Sequence, residues 1–425
     1  LTLLAAVWND EPVTLFLLLL LLAQDAPSGK LIASKEPGWP QWRGPRRDGL
    51  SDEKGLLQAW PTGGPKLLWK AEGLGRGWSS PIVTGGALYL TGDVGDELRL
   101  FALDLDGKPK WTVPNGKAWT EQYPGARSSI AFSEGRLFHM NAHGRTVALD
   151  PATGRELWAV DALQRFEGVT ILWGLSECLL VDGPRVIVTP GGKKASMAAL
   201  DVKTGDTVWT TEPIEKNEAG YASPILFELE GRRQIVNYSS RHIFGVDADS
   251  GRLLWKRARP SEYIALCFTP VFCGDGVFVT TPGKNGATRY RLSSRDGQVA
   301  ADALWDNKLD SLQGGAVLVD GRVYGAGYEG FKGWGAFDLA SGRTVASTRE
   351  LAIGSVIHAD GRLYCFSERG EMALVKPTAS GFDFHGRFRL FNEFKKDAWA
   401  QPVICDGRLY LRYHETLFCY DLRAN

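Results

Sequence analysis

One phrase recurs eight times along this chain and limits what it can fold into. A small residue opens an apolar strand. A tight turn with Gly leads into a second strand, and a third strand ends on Asp. A Thr/Ser-Gly turn then precedes a strand closing on Trp. The copies run Ser79–Trp111, Ser128–Trp158, Ser176–Trp209, Ser223–Trp255, Thr269–Trp305, Gly314–Ser347, Gly354–Phe388 and Gln401–Arg423. A period of about 40 to 50 residues is that of one four-stranded propeller blade. Such a unit cannot bury its own faces and is stable only between neighbours. The expected fold is all-β: an eight-bladed β-propeller of four-stranded antiparallel blades. It fills residues 62–425 as one domain, where length alone would suggest two or three.

Each part of the phrase has a physical role. Stretches such as RLFHM (136–140) and RLYCF (362–366) alternate their side chains across a sheet. The Gly of each Asp-Gly or Glu-Gly pair supplies the positive φ of a two-residue hairpin. The Asp before the Thr-Gly turn bonds to backbone amides within it. The closing Trp packs between blades. Trp69, Trp111, Trp158, Trp209, Trp255 and Trp305 hold that place, and Val345 and Phe388 stand there in copies six and seven. Most of the turns draw on the 50 Gly, and the docking positions take six of the 15 Trp. The eighth copy lacks its last strand. Residues 62–69, TGGPKLLW, carry that strand with its turn and Trp, so they are expected to close the ring and remove its open edges.

The other end of the chain reads as an address. Residues 13–23, VTLFLLLLLLA, form an uncharged apolar run. It is shorter than the roughly 20 residues a bilayer span needs and fits the apolar core of a secretory signal. Residues 1–26 are therefore expected to be a signal peptide, or alternatively a retained N-terminal membrane anchor. Residues 27–61 are an N-terminal extension. The body is expected to be periplasmic or secreted. No Cys follows the run, so a lipoprotein anchor is not expected.

The phrases ALDPATGRELW (148–158) and ALDVKTGDTVW (199–209) resemble the tryptophan-docking repeat of pyrroloquinoline-quinone (PQQ) type propellers. That superfamily includes the quinoprotein alcohol dehydrogenases and the BamB lipoprotein of outer-membrane assembly. The resemblance covers about residues 62–423. A narrower one rests on WPQWRGPRRDGLS (39–51), GWSSPIV (77–83), YPGARSS (123–129), TPGGKKASMAALD (189–201), GYASP (220–224) and ADGRLYCFSERGEMALV (359–375). These are similar to secreted PQQ-like propeller proteins of planctomycetes and related bacteria. A shared fold does not fix a function.

The resemblance implies what a dehydrogenase would require: Ca²⁺ on hard oxygen ligands, an Asp base, a cation near the quinone and often a vicinal cysteine pair. The six Cys, at 178, 267, 273, 365, 405 and 419, include no adjacent pair, no CxxC and no CxxCH. They read as small buried residues, with Cys178 and Cys267 placed where they could face the channel. Trp305 already has a docking role, so Asp306 after it falls at the wrong point of the unit for a base. No metal site is expected from the six His, and GLGRG (73–77) has no helix after it to make a nucleotide loop. The 49 basic and 49 acidic residues cancel, which argues against nucleic acid.

Propeller ligands gather where innermost strands begin and where loops follow the second strands. The first set offers Trp78, Arg127, Trp173, Glu177, Tyr221, Tyr263, Gln313 and Trp399. The second offers Lys193, Arg241, Lys284, Asn285, Tyr328 and Glu329. This mixture of aromatics and cations suits a planar anionic cofactor, a sugar or a peptide strand. The sequence favours a binding or scaffold module that takes a protein, polymer or small-molecule ligand at one channel mouth, as a monomer. The alternatives are a PQQ- and calcium-dependent alcohol or polyol dehydrogenase and a BamB-like assembly factor.

Overall fold

The computed structural model describes residues 29–216, 218–261, 266–283, 285–295, 297–391 and 397–424. The apolar run at 13–23 and the expected signal peptide lie outside them. Among the described residues no helix is long and apolar enough to cross a membrane. Eight separate sheets form the blades, each built on four antiparallel strands, with a short fifth strand added to blades four and seven. Blade one, for instance, is Ile82–Thr84, Ala87–Val94, Glu97–Asp104 and Pro109–Lys117. Blade eight is Val403–Cys405, Arg408–Tyr413 and Thr416–Asp421, with Lys66–Ala71 as its outermost strand. Lys66 there lies opposite Asp421 and Trp69 opposite Cys419.

The docking tryptophans follow from a bulge in each outer strand. Ala148 faces Trp158, but Leu149 faces Glu156, so one residue is squeezed out before the Trp. The indole then projects over the next blade. The Trp69 ring covers Gly107, where an added Cβ would lie 2.6 Å from it, and its Nε1 donates to the Leu105 carbonyl at 3.0 Å. Trp305 covers Gly342 in the same way and donates to Leu339 at 2.9 Å. The turn glycine therefore serves twice: it takes the positive φ and it leaves room for the neighbouring indole. The Asp at the turn does its expected work; Asp150 Oδ1 accepts from the amides of Ala152 and Thr153 at 2.9 and 3.0 Å.

Three blades depart from this pattern. Trp255 turns its Nε1 to Gln234 of its own blade at 3.3 Å. In the fifth blade the strands on either side of the turn it would cover run to ten residues each, Gly286–Arg295 and Gln298–Asn307. In copies six and seven, the register corrects the sequence alignment. Ala346, not Val345, stands opposite Ala336, and Gly386, not Phe388, stands opposite Leu374. The gap at Gly386 is filled from outside the repeat. Trp60 of the extension donates its amide to the His385 carbonyl at 2.8 Å, and a Cβ on Gly386 would meet the Trp60 Cβ at 2.4 Å. Phe388 instead lies over Gly64.

The extension also threads the ring. Lys30–Leu31 pairs with Glu228 and Phe227, near the far end of the innermost strand of blade four. Leu50–Ser51 pairs with the last two residues of Gly354–Ala359 in blade seven. Between these, Arg43 and Arg47 are only 2% exposed each and reach the beginnings of other innermost strands. Arg43 donates to the Ala316 carbonyl at 2.5 Å and to Gln401 at 3.0 Å. Arg47 donates to the carbonyls of Pro224, Cys178 and Leu179 at 2.6, 2.7 and 3.1 Å. The segment thus enters the channel and leaves it by the same end, with its arginines near the opposite mouth.

Candidate functional site

At that opposite mouth is a cavity of about 670 Å³, within the roughly 300–1,000 Å³ usual for ligand sites. It is lined by residues that precede innermost strands and by loops between second and third strands. Both groups lie at one end of each blade, so repeat-equivalent positions converge there. Of the residues expected from the sequence, Trp78, Arg127, Trp173, Tyr221, Gln313 and Trp399 line it together, joined by Tyr328.

The aromatic rings form an arc. Trp78 and Trp399 have centroids 5.2 Å apart, Trp399 and Tyr123 5.7 Å, Tyr123 and Trp173 6.3 Å, and Trp173 and Tyr221 5.6 Å. Tilted and edge-on contacts of this kind suit aromatic quadrupoles. The Trp78 indole is anchored by its Nε1, which donates to the Asp397 carbonyl at 3.0 Å. Arg127 sits 5.5 Å from the ring centres of both Trp78 and Trp119, a cation–π arrangement. Its guanidinium also donates to the carbonyls of Gly125, Tyr123 and Trp173, and burial pulls its pKa down to about 10.

Several lining residues escaped the sequence reading. Trp42 comes from the threaded segment and donates to Thr269 Oγ1 at 2.9 Å. Glu368 and Asp397 bring two carboxyl groups, and burial pushes that of Glu368 up. Tyr123 stands between two strands of the repeat phrase, in a loop with no periodicity to mark it. Glu368 follows a second strand, the same place in its blade as Tyr328, so positional equivalence was the available signal. Cys178 and Cys267 both line the cavity.

Other expected residues are elsewhere. Glu177 is turned out of the cavity, because Ser176 and Cys178 line it and side chains alternate along a strand. Its carboxyl accepts from the Thr189 amide at 2.8 Å, the Thr189 hydroxyl at 2.6 Å and Asn237 Nδ2 at 3.2 Å. Burial pushes its pKa up to about 7. Asn285 is exposed and donates to the Pro282 carbonyl at 3.0 Å. Pro282 lines the cavity in its place. Lys193, Arg241 and Glu329 are not in the lining. Lys284 and Tyr263 lie outside the described residues.

The donor set can be tested against PQQ with calcium. Among the described residues no group of three His, Cys, Asp or Glu is placed to hold a metal ion. The cavity sets one described cation, Arg127, beside two carboxyl groups, whereas the quinone carries three carboxylates of its own. Glu177, a hard oxygen donor nearby, is already bonded to Thr189 and Asn237. The described residues do not fit this cofactor.

Fold, repeat and docking geometry together define an eight-bladed β-propeller whose tryptophan-docking repeat is similar to that of PQQ-type propellers. Comparisons with known proteins agree and are narrower in reach. A family profile described as outer membrane protein assembly factor BamB matches residues 115–281. The lanthanide-dependent methanol dehydrogenase of Methylacidiphilum fumariolicum is 29% identical over 156 residues, which are 34% of this chain and 25% of that protein. The outer membrane protein assembly factor BamB of Kangiella koreensis is 29% identical over 140 residues, 32% of each chain. The matched segments thus span about a quarter to a third of these curated relatives. Among solved structures, BamB from Moraxella catarrhalis superposes with a TM-score of 0.58 at 13% identity, covering 82% of this chain and 95% of that one. The quinohemoprotein alcohol dehydrogenase from Comamonas testosteroni superposes with a TM-score of 0.63 at 14% identity, covering 92% and 82%. At such identities these two structures speak for the fold alone.

Proposed function

We propose that this propeller acts by binding a ligand in the aromatic cup at one mouth of its channel. The observation that carries this reading is the convergence of seven aromatic side chains, two carboxyl groups and a half-buried arginine on one cavity of about 670 Å³. The threaded segment backs that cavity with Trp42, so ligand enters and leaves by the same mouth. We take residues 62–425 as the folding unit, with the described part of the 27–61 extension, residues 29–61, threaded through it, working as a monomer. The apolar run at 13–23 supports a location outside the cytoplasm, in the periplasm or secreted.

A dehydrogenase is the second reading, favoured by similarity to the methanol dehydrogenase and opposed by the donor set. A part in outer-membrane protein assembly, the role in the description of the matching profile, stays within the binding reading and makes the ligand a protein. One assay separates binding from dehydrogenation. Purified protein is given PQQ, Ca²⁺, a panel of alcohols and an artificial electron acceptor. The binding reading predicts no dye reduction above the protein-free control. Turnover that depends on PQQ would overturn it.

A further inference from the structure

The cup can be narrowed to one chemistry, an inference that rests on the binding reading above. A planar polyanion is disfavoured by Glu368 and Asp397 and by an Arg127 already bonded to three backbone carbonyls. A peptide added as a strand needs a free edge facing the channel. The threaded segment already takes part of these edges, on blades four and seven and, through the Trp39–Val83 bridge, on blade one. An organic cation would lie close to the Arg127 guanidinium, which already sits by the Trp78 ring.

A neutral polyhydroxy chain meets none of these obstacles. The apolar C–H faces of a pyranose ring match flat indole surfaces. Its hydroxyls donate to carboxylates and exchange hydrogen bonds with Gln313, Ser176 and Ser223 at the wall. A second cavity of about 330 Å³ adjoins the first and shares Trp78, Tyr123 and Asp397 with it, adding Arg76 and Gln122. Two chambers with a common wall suit consecutive units of one chain. At the rim, Tyr123 and Tyr328 are 49% and 44% exposed, leaving aromatic surface where a longer ligand would emerge. We propose that the cup binds a neutral oligosaccharide of at least two sugar units, laid against Trp78, Trp399 and Trp173.

Maltotriose, cellotriose, xylotriose and chitotriose are titrated into the full chain, followed by tryptophan emission and calorimetry. PQQ with Ca²⁺ and tetramethylammonium are run beside them. At least one trisaccharide is expected to saturate, with its monosaccharide about tenfold weaker. Trp399→Ala is expected to weaken the trisaccharide by about tenfold or more, and the surface change Tyr328→Ala severalfold, since aromatic anchors dominate such sites. Circular dichroism checks that each variant is folded. If no trisaccharide binds, the inference is wrong. If PQQ or tetramethylammonium binds instead and Trp399→Ala abolishes it, the sugar chemistry fails and the cup survives. If nothing in the panel binds, both fall.

Discussion

Trp60 lies against Tyr364 with ring centroids 5.9 Å apart, in the place a docking tryptophan takes in other blades. The comparison is direct. Tyr364 stands opposite Leu374 as Phe138 stands opposite Ala148, and the docking Trp158 packs on Phe138 at 6.0 Å. Blade seven has Gly386 where its own tryptophan would be, and the extension supplies the missing ring.

Trp60→Ala should therefore cost as much as losing a repeat tryptophan. The expected loss is about 3–5 kcal/mol, the range for a large buried aromatic cut to Ala. Trp158→Ala is expected to fall in the same range. Denaturant unfolding of both variants checks this, and a near-neutral Trp60→Ala would mean that the extension only lies on the propeller.

The channel arginines give a second prediction. Arg47 is a buried cation held by three backbone carbonyls. Arg47→Ala leaves those acceptors of blades three and four without their partner. The expected cost is about 2–4 kcal/mol, since each stranded buried acceptor carries a desolvation penalty. Equilibrium unfolding in urea measures it. A loss below about 0.5 kcal/mol, the size typical of surface changes, would show that the guanidinium does not tie the threaded segment to the ring.

Glu177 predicts a pH dependence. Burial raises its folded pKa to about 7 from an ordinary value of 4.5. The folded state then holds a proton that the unfolded state has released, so stability falls as pH rises through that window and levels off above it. Glu177→Gln should flatten this slope. Asp93, pushed up to about 6 by burial as well, keeps part of it. Melting temperatures of the two proteins between pH 4.5 and 8 provide the check. Parallel curves would contradict the assignment.

The blades were legible in the sequence because their determinants are local. A turn Gly, an Asp three or four residues before it and a Trp four residues after it sit in one short phrase. The cup was legible in part for the same reason: Trp78, Arg127, Tyr221 and Trp399 occupy equivalent points of the repeat. Glu368 apart, what escaped was non-repeating. Trp42, Arg43, Arg47 and Trp60 belong to a segment with no internal period, and their partners are hundreds of residues away. Glu177 was placed on the wrong side because its neighbours, not its own residue type, decide which way an alternating strand turns it. Ala346 stands four residues after Gly342, the spacing of the docking tryptophans, so its place was legible; Gly386 was not, because the turn before it, 378–381, departs from the repeat phrase and puts Gly386 five residues after its glycine.

The most direct test of the account is a crystal of the full chain soaked with the trisaccharide that titrates most tightly. The account predicts sugar density in the cup, with ring faces on Trp78, Trp399 and Trp173 and a hydroxyl within bonding distance of Glu368 or Asp397. Density at another surface, with the cup holding only solvent, would contradict it.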